Sequence, residues 1–189
     1  MKFLKLLIIS ILLLGCKDNY KEYKTLDFGS FEITVPYQWN QIDYNGIDSF
    51  VGKIAINNND TIQFDLGWYS YNLTEEDFPI IIDKNDLKFI LKKDPKADTT
   101  HYVIVEDLRE INYSDYSKIT VSYRQIDSYN AKIVVPKKYG NGLTGIYIDS
   151  LWGSGFAVNK FNLYGVNLSK DNQEEFLKAI ETLKFKSDK

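Results

Sequence analysis

The chain has 189 residues, of which 44% are hydrophobic and 26% are charged, and its net charge is −3 at neutral pH. This length suits one domain with a real core, and the acidic balance disfavours a nucleic-acid partner, which requires a basic surface. The single cysteine, Cys16, excludes intramolecular disulfides. With only one histidine, His101, the chain also excludes a zinc site built from several histidines or thiols.

The N-terminal segment has the pattern of a secretion signal. Two lysines precede an apolar run from Leu6 to Leu14, which is shorter than the ~20 residues of a membrane-spanning helix. The run closes with Leu13-Leu14-Gly15-Cys16, which resembles the lipobox of bacterial lipoproteins. The resemblance implies a signal peptide at residues 1–15 and acylation of Cys16. The alternative is a buried N-terminal helix or an uncleaved anchor with an incidental cysteine.

Residues 16–26 are expected to form the lipidated N-terminus and a tether. They are polar and charged and show no apolar periodicity, as is typical of a solvated segment. Lys17 stands where inner-membrane lipoproteins of enteric bacteria have Asp, so the resemblance implies the outer membrane. The Lys17-Asp18 pair is also similar to the export signal of surface lipoproteins in Bacteroidetes-type bacteria. We expect anchoring to the membrane through the lipid, at the periplasmic face or at the cell surface.

The body of the chain, residues 27–187, opens with patterns typical of strands. Phe31–Val35 alternates apolar and polar residues, which predicts a strand. The same alternation in Ser49–Asn57 and Thr61–Trp68 predicts two more. Between them, Asn57–Asp60 consists of residues that tolerate left-handed backbone. These two strands are therefore expected to form a hairpin.

The segment from Asn72 to Ala97 carries conflicting signals. Thr74 and Asn85 are both candidate helix caps, whereas Phe78–Ile82 suggests a strand or a buried loop. We expect an irregular excursion with at most one short helix. Five further strands are predicted after it, at Tyr102–Val105, Lys118–Arg124, Ala131–Val135, Thr144–Leu151 and Lys160–Val166.

The end of the body is expected to be helical. Ser169 is the predicted cap of a helix over Lys170–Thr182, and Leu183–Phe185 is expected to be a short strand or docking tail. The predicted apolar face has spacings of three and four residues and consists of Phe176, Leu177, Ile180 and Leu183. The element order predicts a single α+β domain, in which an antiparallel β-sheet packs against the C-terminal α-helix.

This pattern resembles a known fold. The Phe-Glu-Ile-Thr-Val-Pro-x-x-Trp opening from Phe31 to Trp39, the hairpin and the closing helix ending at Leu183–Phe185 resemble the PsbP/Mog1-type fold. The Asp48–Gly52 segment is similar to lipoproteins of unknown function from Bacteroidetes-type bacteria. The resemblance implies a binding or assembly factor, because it brings no catalytic residues with it.

Catalytic and ligand-binding candidates are weak. His101 follows a polar loop and is expected to be solvated. The Gly140–Gly145 segment is expected to be a hairpin turn rather than a phosphate cradle, because a strand and not a helix follows it. Gly153–Gly155 is interpreted as a turn for the same reason. The acidic Glu75–Asp77 lacks the alternating spacing of a calcium loop.

A second acidic group lies at Glu106, Asp107 and Glu110. These carboxylates could pair as general acid and base, but Arg109 among them favours an ordinary surface charge cluster. Three Asp-Ser/Thr-apolar triplets match an O-glycosylation pattern of Bacteroidetes-type envelopes. The triplet around Thr99 is the one expected in a loop; the other two are centred on Thr61 and Ser150.

Tyrosines decorate many polar stretches of the body, namely at Tyr69, Tyr71, Tyr113, Tyr116, Tyr123 and Tyr129. They are typical both of secreted β-rich domains and of ligand-binding faces. The leading hypothesis is therefore an envelope lipoprotein without catalytic activity or cofactor, which binds a protein or glycan partner or serves as an accessory factor. One alternative is an immunity or inhibitor lipoprotein against a toxin or envelope hydrolase. Another is a hydrolase that uses a carboxylate pair.

Overall fold

The structure, a computed structural model, describes residues 22–42, 49–74, 79–154 and 156–186. These residues form strands and helices in the following order. The strands are β1 Tyr23–Asp27, β2 Phe31–Pro36, β3 Asn40–Ile42, β4 Phe50–Ala55, β5 Thr61–Gly67, β6 Ile80–Asp83, β7 Tyr102–Val105, β8 Ile119–Ile126, β9 Tyr129–Pro136, β10 Leu143–Ile148, β11 Gly153–Ser154, β12 Ala157–Val158, β13 Lys160–Val166 and β14 Lys184–Phe185. The α-helices are α1 Lys84–Lys93, α2 Tyr113–Tyr116 and α3 Lys170–Ile180, and Leu108–Glu110 forms a 3₁₀ turn.

The largest sheet has seven strands in the order β3-β4-β5-β13-β10-β9-β8, and all its pairs are antiparallel. A three-stranded antiparallel sheet, β1-β2-β14, brings the two ends of the described chain together. Strands β6 and β7 pair in parallel. This combination of a mainly antiparallel sheet with a few helices confirms the predicted α+β class.

The hydrophobic core lies on one side of the seven-stranded sheet. Its centre is aromatic: the rings of Phe31 and Phe161 have centroids 4.9 Å apart, and Phe31 also stacks on Phe28 at 4.8 Å. Helix α3 contributes Phe176 and Ile180 to the same cluster, both fully buried. Edge-to-face and offset aromatic pairs of this kind add to the stabilisation that burial provides.

The predicted hairpins are confirmed. Strands β4 and β5 pair in register, and in the turn between them the Asn57 side chain accepts hydrogen bonds from the backbone N–H groups of Asn59 and Asp60. The connection between β9 and β10 contains Gly140 and Gly142, both with positive φ, which glycine adopts without steric cost. Gly140 and Gly142 therefore lie in a hairpin connection, as their sequence predicts, whereas the prediction is wrong for Gly145, which lies within strand β10 and pairs with Val134 of β9.

The predicted tether is wrong for its last residues. Tyr23–Asp27 forms strand β1, which pairs with β2 along its whole length. Its side chains are alternately exposed and half-buried, so the apolar signal is weak. The Tyr23 hydroxyl donates to the Glu175 carboxylate at 3.2 Å, and Leu26 packs against the core. Contacts with distant residues, rather than local pattern, make these residues a strand.

The excursion after β5 is more regular than its sequence predicts. It contains a helix, α1, whose cap is Asp83 rather than the candidate Asn85: the Asp83 side chain accepts from the N–H groups of Asn85 and Asp86. The residues that follow the other candidate cap, Thr74, lie outside the described ranges. Ile80–Asp83 is a strand that pairs in parallel with β7, which makes a β-α-β unit. The apolar run at Ile80 did not distinguish this strand from a buried loop.

The C-terminal segment follows its prediction closely. The Ser169 hydroxyl accepts from the backbone N–H of Asn172, and α3 ends at Ile180, two residues before the predicted end. Strand β14 pairs with β2, and the Phe185 N–H donates to the Asp127 carboxylate at 2.7 Å. The Gly153–Gly155 interpretation needs correction, because Gly153 and Ser154 form strand β11 and Gly155 lies outside the described residues.

Candidate functional site

Several predicted site residues lie outside the part of the chain that the structure describes. They are Cys16, Asp48 and Glu75–Asp77. Lipidation of Cys16 and the interpretation of the acidic triplet therefore stay predictions. Within the described ranges, no helix is long and apolar enough to cross a membrane.

His101 and the second acidic group lie at the surface. The His101 ring is 79% exposed, and its Nε2 lies 3.6 Å from the Asp98 carboxylate. Arg109 donates to the Asp107 carboxylate at 2.6 Å, and these hydrogen bonds lower the pKa of Asp107. Glu106 pairs instead with Lys84. Two carboxylates of this group, those of Glu106 and Asp107, therefore bind neighbouring cations.

The glycosylation triplets are also at the surface. Asp98–Thr100 lies in a loop between α1 and β7, and the Asp98 carboxylate accepts from both the N–H and the hydroxyl of Thr100. Thr99 itself is half-buried. Thr61 opens strand β5, and Ser150 follows β10. Modification of Thr99 stays a prediction.

The side of the seven-stranded sheet opposite the core, here called the outer face, carries two cross-strand rows of side chains. Successive residues of a strand point to opposite faces, and neighbouring strands lie about 4.8 Å apart. The pairing register therefore aligns residues that are far apart in sequence. The first row is Asp65, Asn162, Tyr147, Lys132 and Tyr123, and the second row is Gln63, Tyr164, Gly145, Val134 and Val121.

One segment, Tyr71–Leu73, crosses both rows. Leu73 is fully buried on the outer face and packs with Val134 and Leu143. It lies over Gly145, where an added Cβ would be 3.0 Å from the Leu73 Cδ1 atom. The Asn162 amide donates to the Tyr71 carbonyl at 2.9 Å. The crossing segment thus contacts the first row at Asn162 and the second row at Gly145, and it divides the outer face into two clefts.

The first cleft lies on the β4-β5-β13 side of the crossing segment and has a volume of about 210 Å³. Its centre is the cross-strand pair Asp65 and Asn162. Both Asp65 Oδ1 and Asn162 Oδ1 are buried, and neither has a hydrogen-bond partner among the described residues. The polar lining of the cleft is Lys53, Gln63, Asp65, Tyr71, Asn162 and Tyr164.

The pKa values of Asp65 and Tyr164, which line the first cleft, are shifted because both side chains are partly buried. Burial raises the pKa of the Asp65 carboxyl, and the nearby hydroxyl groups of Ser70 and Ser49 offset this shift in part. Burial likewise raises the pKa of the Tyr164 hydroxyl, and the neighbouring Asp65 charge adds to this effect. Both shifts have the sign expected when a charged form loses its hydration.

The second cleft lies on the β10-β9-β8 side and also has a volume of about 210 Å³. The Lys132 ammonium lies 5.2 Å from the centroid of the Tyr147 ring, within cation–π range. Burial lowers the pKa of Lys132, and it raises the pKa of Tyr147 together with the nearby charge of Asp149. The lining of this cleft is Asn72, Tyr123, Asn130, Lys132, Tyr147 and Asp149.

The two clefts have matching polar chemistry. Each presents one lysine, one aspartate, two tyrosines and two carboxamide side chains. The lysine and the aspartate balance in charge, and each cleft has a single carboxyl among its described lining residues. The paired carboxylates that glycoside hydrolysis requires are therefore not brought together in either cleft. The arrangement suits recognition of a polar, uncharged ligand.

A larger cleft, of about 720 Å³, lies at the end of β4 and β5 and is lined by Phe50, Trp68 and Tyr69. Ser49 and Phe50, which contribute to it, directly follow residues 43–48, which are outside the described ranges. Its described lining is mainly aromatic and apolar and contains no charged side chain, whereas the matched clefts bring charged and polar groups together.

Sequence reasoning identified some residues of the clefts but not their grouping. Tyr71 and Tyr123 were among the tyrosines interpreted as either ordinary surface residues or a binding face, and both line a cleft. Tyr129, by contrast, packs edge-to-face on Phe185 beside the core. Asp65, Asn162 and Lys132 were not identified. The sequence feature that could have identified each of them is a polar residue that alternates with the apolar residues of a strand.

No protein-family model matches this chain, and no curated protein sequence matches it. The comparisons therefore assign neither a family nor an activity, and functional inference depends on the geometry of the outer face.

Proposed function

We propose that the chain is a lipid-anchored envelope protein that binds a protein or glycan partner without catalysing a reaction on it. The outer face is the proposed binding surface. The observation that carries this proposal is the pair of clefts with matching lysine, aspartate, tyrosine and carboxamide linings. Recognition sites are typically concave, with aromatic side chains and a few convergent polar groups.

The location belongs to the same proposal. Cys16 carries the lipid, and the protein is held at the outer membrane, at its periplasmic face or at the cell surface. The body is a single domain of PsbP/Mog1-like fold, with helix α3 packed against the sheet. Burial of Phe176 and Ile180 in the cluster that also contains Phe31 and Ile33 of β2 supports this packing.

The inhibitor and hydrolase alternatives have less support. An inhibitor that binds a basic partner through an acidic surface requires an excess of negative charge. The described lining of each cleft instead contains one lysine and one aspartate. A hydrolase requires a second carboxyl beside Asp65 or Asp149, and the described lining of each cleft supplies only one. Binding is therefore the function that these residues favour.

The anchor is tested by replacing Cys16 with Ser in the full chain. Wild type is expected to be processed and to incorporate a fatty-acid probe, whereas the C16S chain stays an unlabelled precursor. Normal processing and labelling of the C16S chain would refute lipidation at this residue.

The binding surface is tested with the full chain in detergent, immobilised through a C-terminal tag and exposed to solubilised cell envelopes. Tyr123→Ala removes a 67% exposed side chain from the second cleft, and we expect retained material to fall about tenfold, as for loss of one aromatic anchor. The matched control is Tyr139→Ala, because Tyr139 is 53% exposed, contacts α3 and lines neither cleft. Equal retention by both variants would contradict the proposal.

A further inference from the structure

The two clefts lie on one line. The first row runs from Asp65 in the first cleft, through Asn162 and Tyr147, to Lys132 and Tyr123 in the second. Across five strands this row spans roughly 20 Å. Tyr71 belongs to the lining of the first cleft and Asn72 to that of the second, so adjacent residues of the crossing segment connect the two sites.

The first cleft contains acceptor atoms that require a donor. Asn162 is 1% exposed, and its Oδ1 atom, like Asp65 Oδ1, has no hydrogen-bond partner among the described residues. A buried acceptor without a partner is unfavourable, because it has lost its hydrogen bonds to water and gained none within the protein. The amide of Asn162 is held by its hydrogen bond to the Tyr71 carbonyl, so its oxygen is fixed in position. Two ligand hydroxyl groups, one donating to each of these oxygens, supply the missing hydrogen bonds.

The charges of the lining residues favour an uncharged ligand in both clefts. Lys53 in the first cleft and Lys132 in the second disfavour a cation, whereas Asp65 and Asp149 disfavour an anion. A ligand with hydroxyl groups both donates and accepts, and so it suits a lining of ammonium, carboxylate and carboxamide groups. The two tyrosine rings in each cleft offer flat apolar faces to the C–H faces of a ring.

The size of each cleft sets the size of the unit that it holds. A volume of 210 Å³ corresponds to about seven water molecules at their share of the liquid volume. It is smaller than the ~300 Å³ at which sites for drug-sized ligands begin. One polar ring fits each cleft, and two clefts of the same chemistry suit a ligand that repeats the same kind of unit.

We propose that the outer face binds one oligosaccharide, with one sugar ring in the cleft of Asp65 and Asn162, another in the cleft of Tyr123 and Lys132, and the intervening linkage over Tyr71 and Asn72. This rests on the proposed function and specifies its ligand as a glycan. Because both clefts engage the same molecule, the second ring binds at a high effective concentration once the first is bound.

The experiment uses the full chain in detergent and a panel of oligosaccharides, from one to four units, of glucose, galactose, mannose and N-acetylglucosamine in α and β linkage. For at least one series, affinity is expected to rise tenfold or more from the monosaccharide to the tri- or tetrasaccharide. Asp65→Ala in the first cleft, which removes the acceptor oxygens, and Tyr123→Ala in the second are each expected to abolish that rise. Tyr139→Ala is expected to bind as wild type does, and melting temperatures establish that all variants are folded.

Three results would overturn the inference. If no sugar binds while Tyr123→Ala still lowers capture of envelope material, the proposed function stands and its partner is a protein. If sugars bind with equal affinity to wild type and to both cleft variants, the glycan site lies elsewhere on the chain. If sugars are not bound and the cleft variants capture envelope material as wild type does, the proposed function fails as well.

Discussion

On the inner face of the seven-stranded sheet, Phe64, Leu163, Ile146 and Ile133 lie side by side across four strands, and each is at most 3% exposed. On the outer face of those strands, one residue along, the row is Asp65, Asn162, Tyr147 and Lys132. Phe31, Phe161, Phe176 and Ile180 belong to the same hydrophobic cluster as this inner row. Among the described residues, Tyr71–Leu73 crosses the outer row, where Asp65 Oδ1 and Asn162 Oδ1 are buried and have no hydrogen-bond partner. The inner face of these strands is therefore apolar, whereas the outer face carries the polar groups on which the proposed binding depends.

The largest effect is expected from the inner side. Phe176→Ala empties a fully buried position and should lower the free energy of unfolding by about 3–5 kcal/mol, as for other buried phenylalanines. Urea denaturation measures the change. The control is Phe89→Ala in α1, where the side chain is 57% exposed and a change within about 0.5 kcal/mol is expected. Similar losses in both variants would show that α3 is not part of the core.

A smaller effect is expected where the crossing segment meets the outer face. An alanine Cβ at Gly145 would lie 2.6 Å from the Leu163 carbonyl oxygen and 3.0 Å from Leu73 Cδ1. Gly145→Ala should therefore cost about 1–3 kcal/mol through overpacking and displace the segment that separates the clefts.

The matched control for this substitution is Gly153→Ala, because an added Cβ there meets nothing within 4 Å. Urea denaturation of the two variants should differ by the cost of overpacking alone. If Gly145→Ala is as stable as Gly153→Ala, Leu73 does not lie over Gly145.

The smallest expected effect is a gain in stability, and it comes from the substitution Asp65→Asn. Because burial raises the pKa of Asp65, the folded state binds its proton more tightly than the unfolded state does. The stability linked to this group is therefore highest at low pH and falls as the pH rises from the ordinary aspartate pKa of 3.8 through the raised pKa of the folded state. Asp65→Asn removes the ionisation, so we expect a higher melting temperature at pH 7 and no gain below pH 3.8.

The comparison residue is Asp107, whose pKa is lowered by its hydrogen bonds to Arg109. Asp107→Asn removes an ionised carboxylate that the folded state favours, and so it should not raise the melting temperature at pH 7. A gain of the same size in both variants would show that general charge reduction, rather than the burial of Asp65, explains the stabilisation.

Local alternation and turn chemistry predicted most of the fold. The hairpin of β4 and β5, strands β7 and β13 and the Ser169 cap were all predicted because their signals lie within a few residues. Strand β1 was missed because its half-exposed pattern becomes a strand only through pairing with β2 and contact with Glu175. The parallel partner of β6 is likewise distant in sequence, so a local pattern did not reveal it.

The candidate site was the least predictable part of the molecule. Asp65 and Asn162 become neighbours only because β5 pairs with β13, and Lys132 joins their row only through β10. The strand order that produces this alignment is not encoded in any one segment. The sequence does contain one consequence of it: Gly145 interrupts a strand where Leu73, from a distant loop, requires space.

The pairing of β2 with β14 determines when folding can finish. One edge of strand β2 (Phe31–Pro36) stays uncovered until Lys184–Phe185, which is distant in sequence, pairs with it. Contacts of such long sequence separation slow folding, because loop-closure entropy is lost before they form. A chain that emerges from its N-terminus onward therefore leaves this edge of β2 uncovered until Lys184–Phe185 is available. Under the proposed envelope location, the chain would cross the membrane unfolded and complete this sheet only after those residues had arrived.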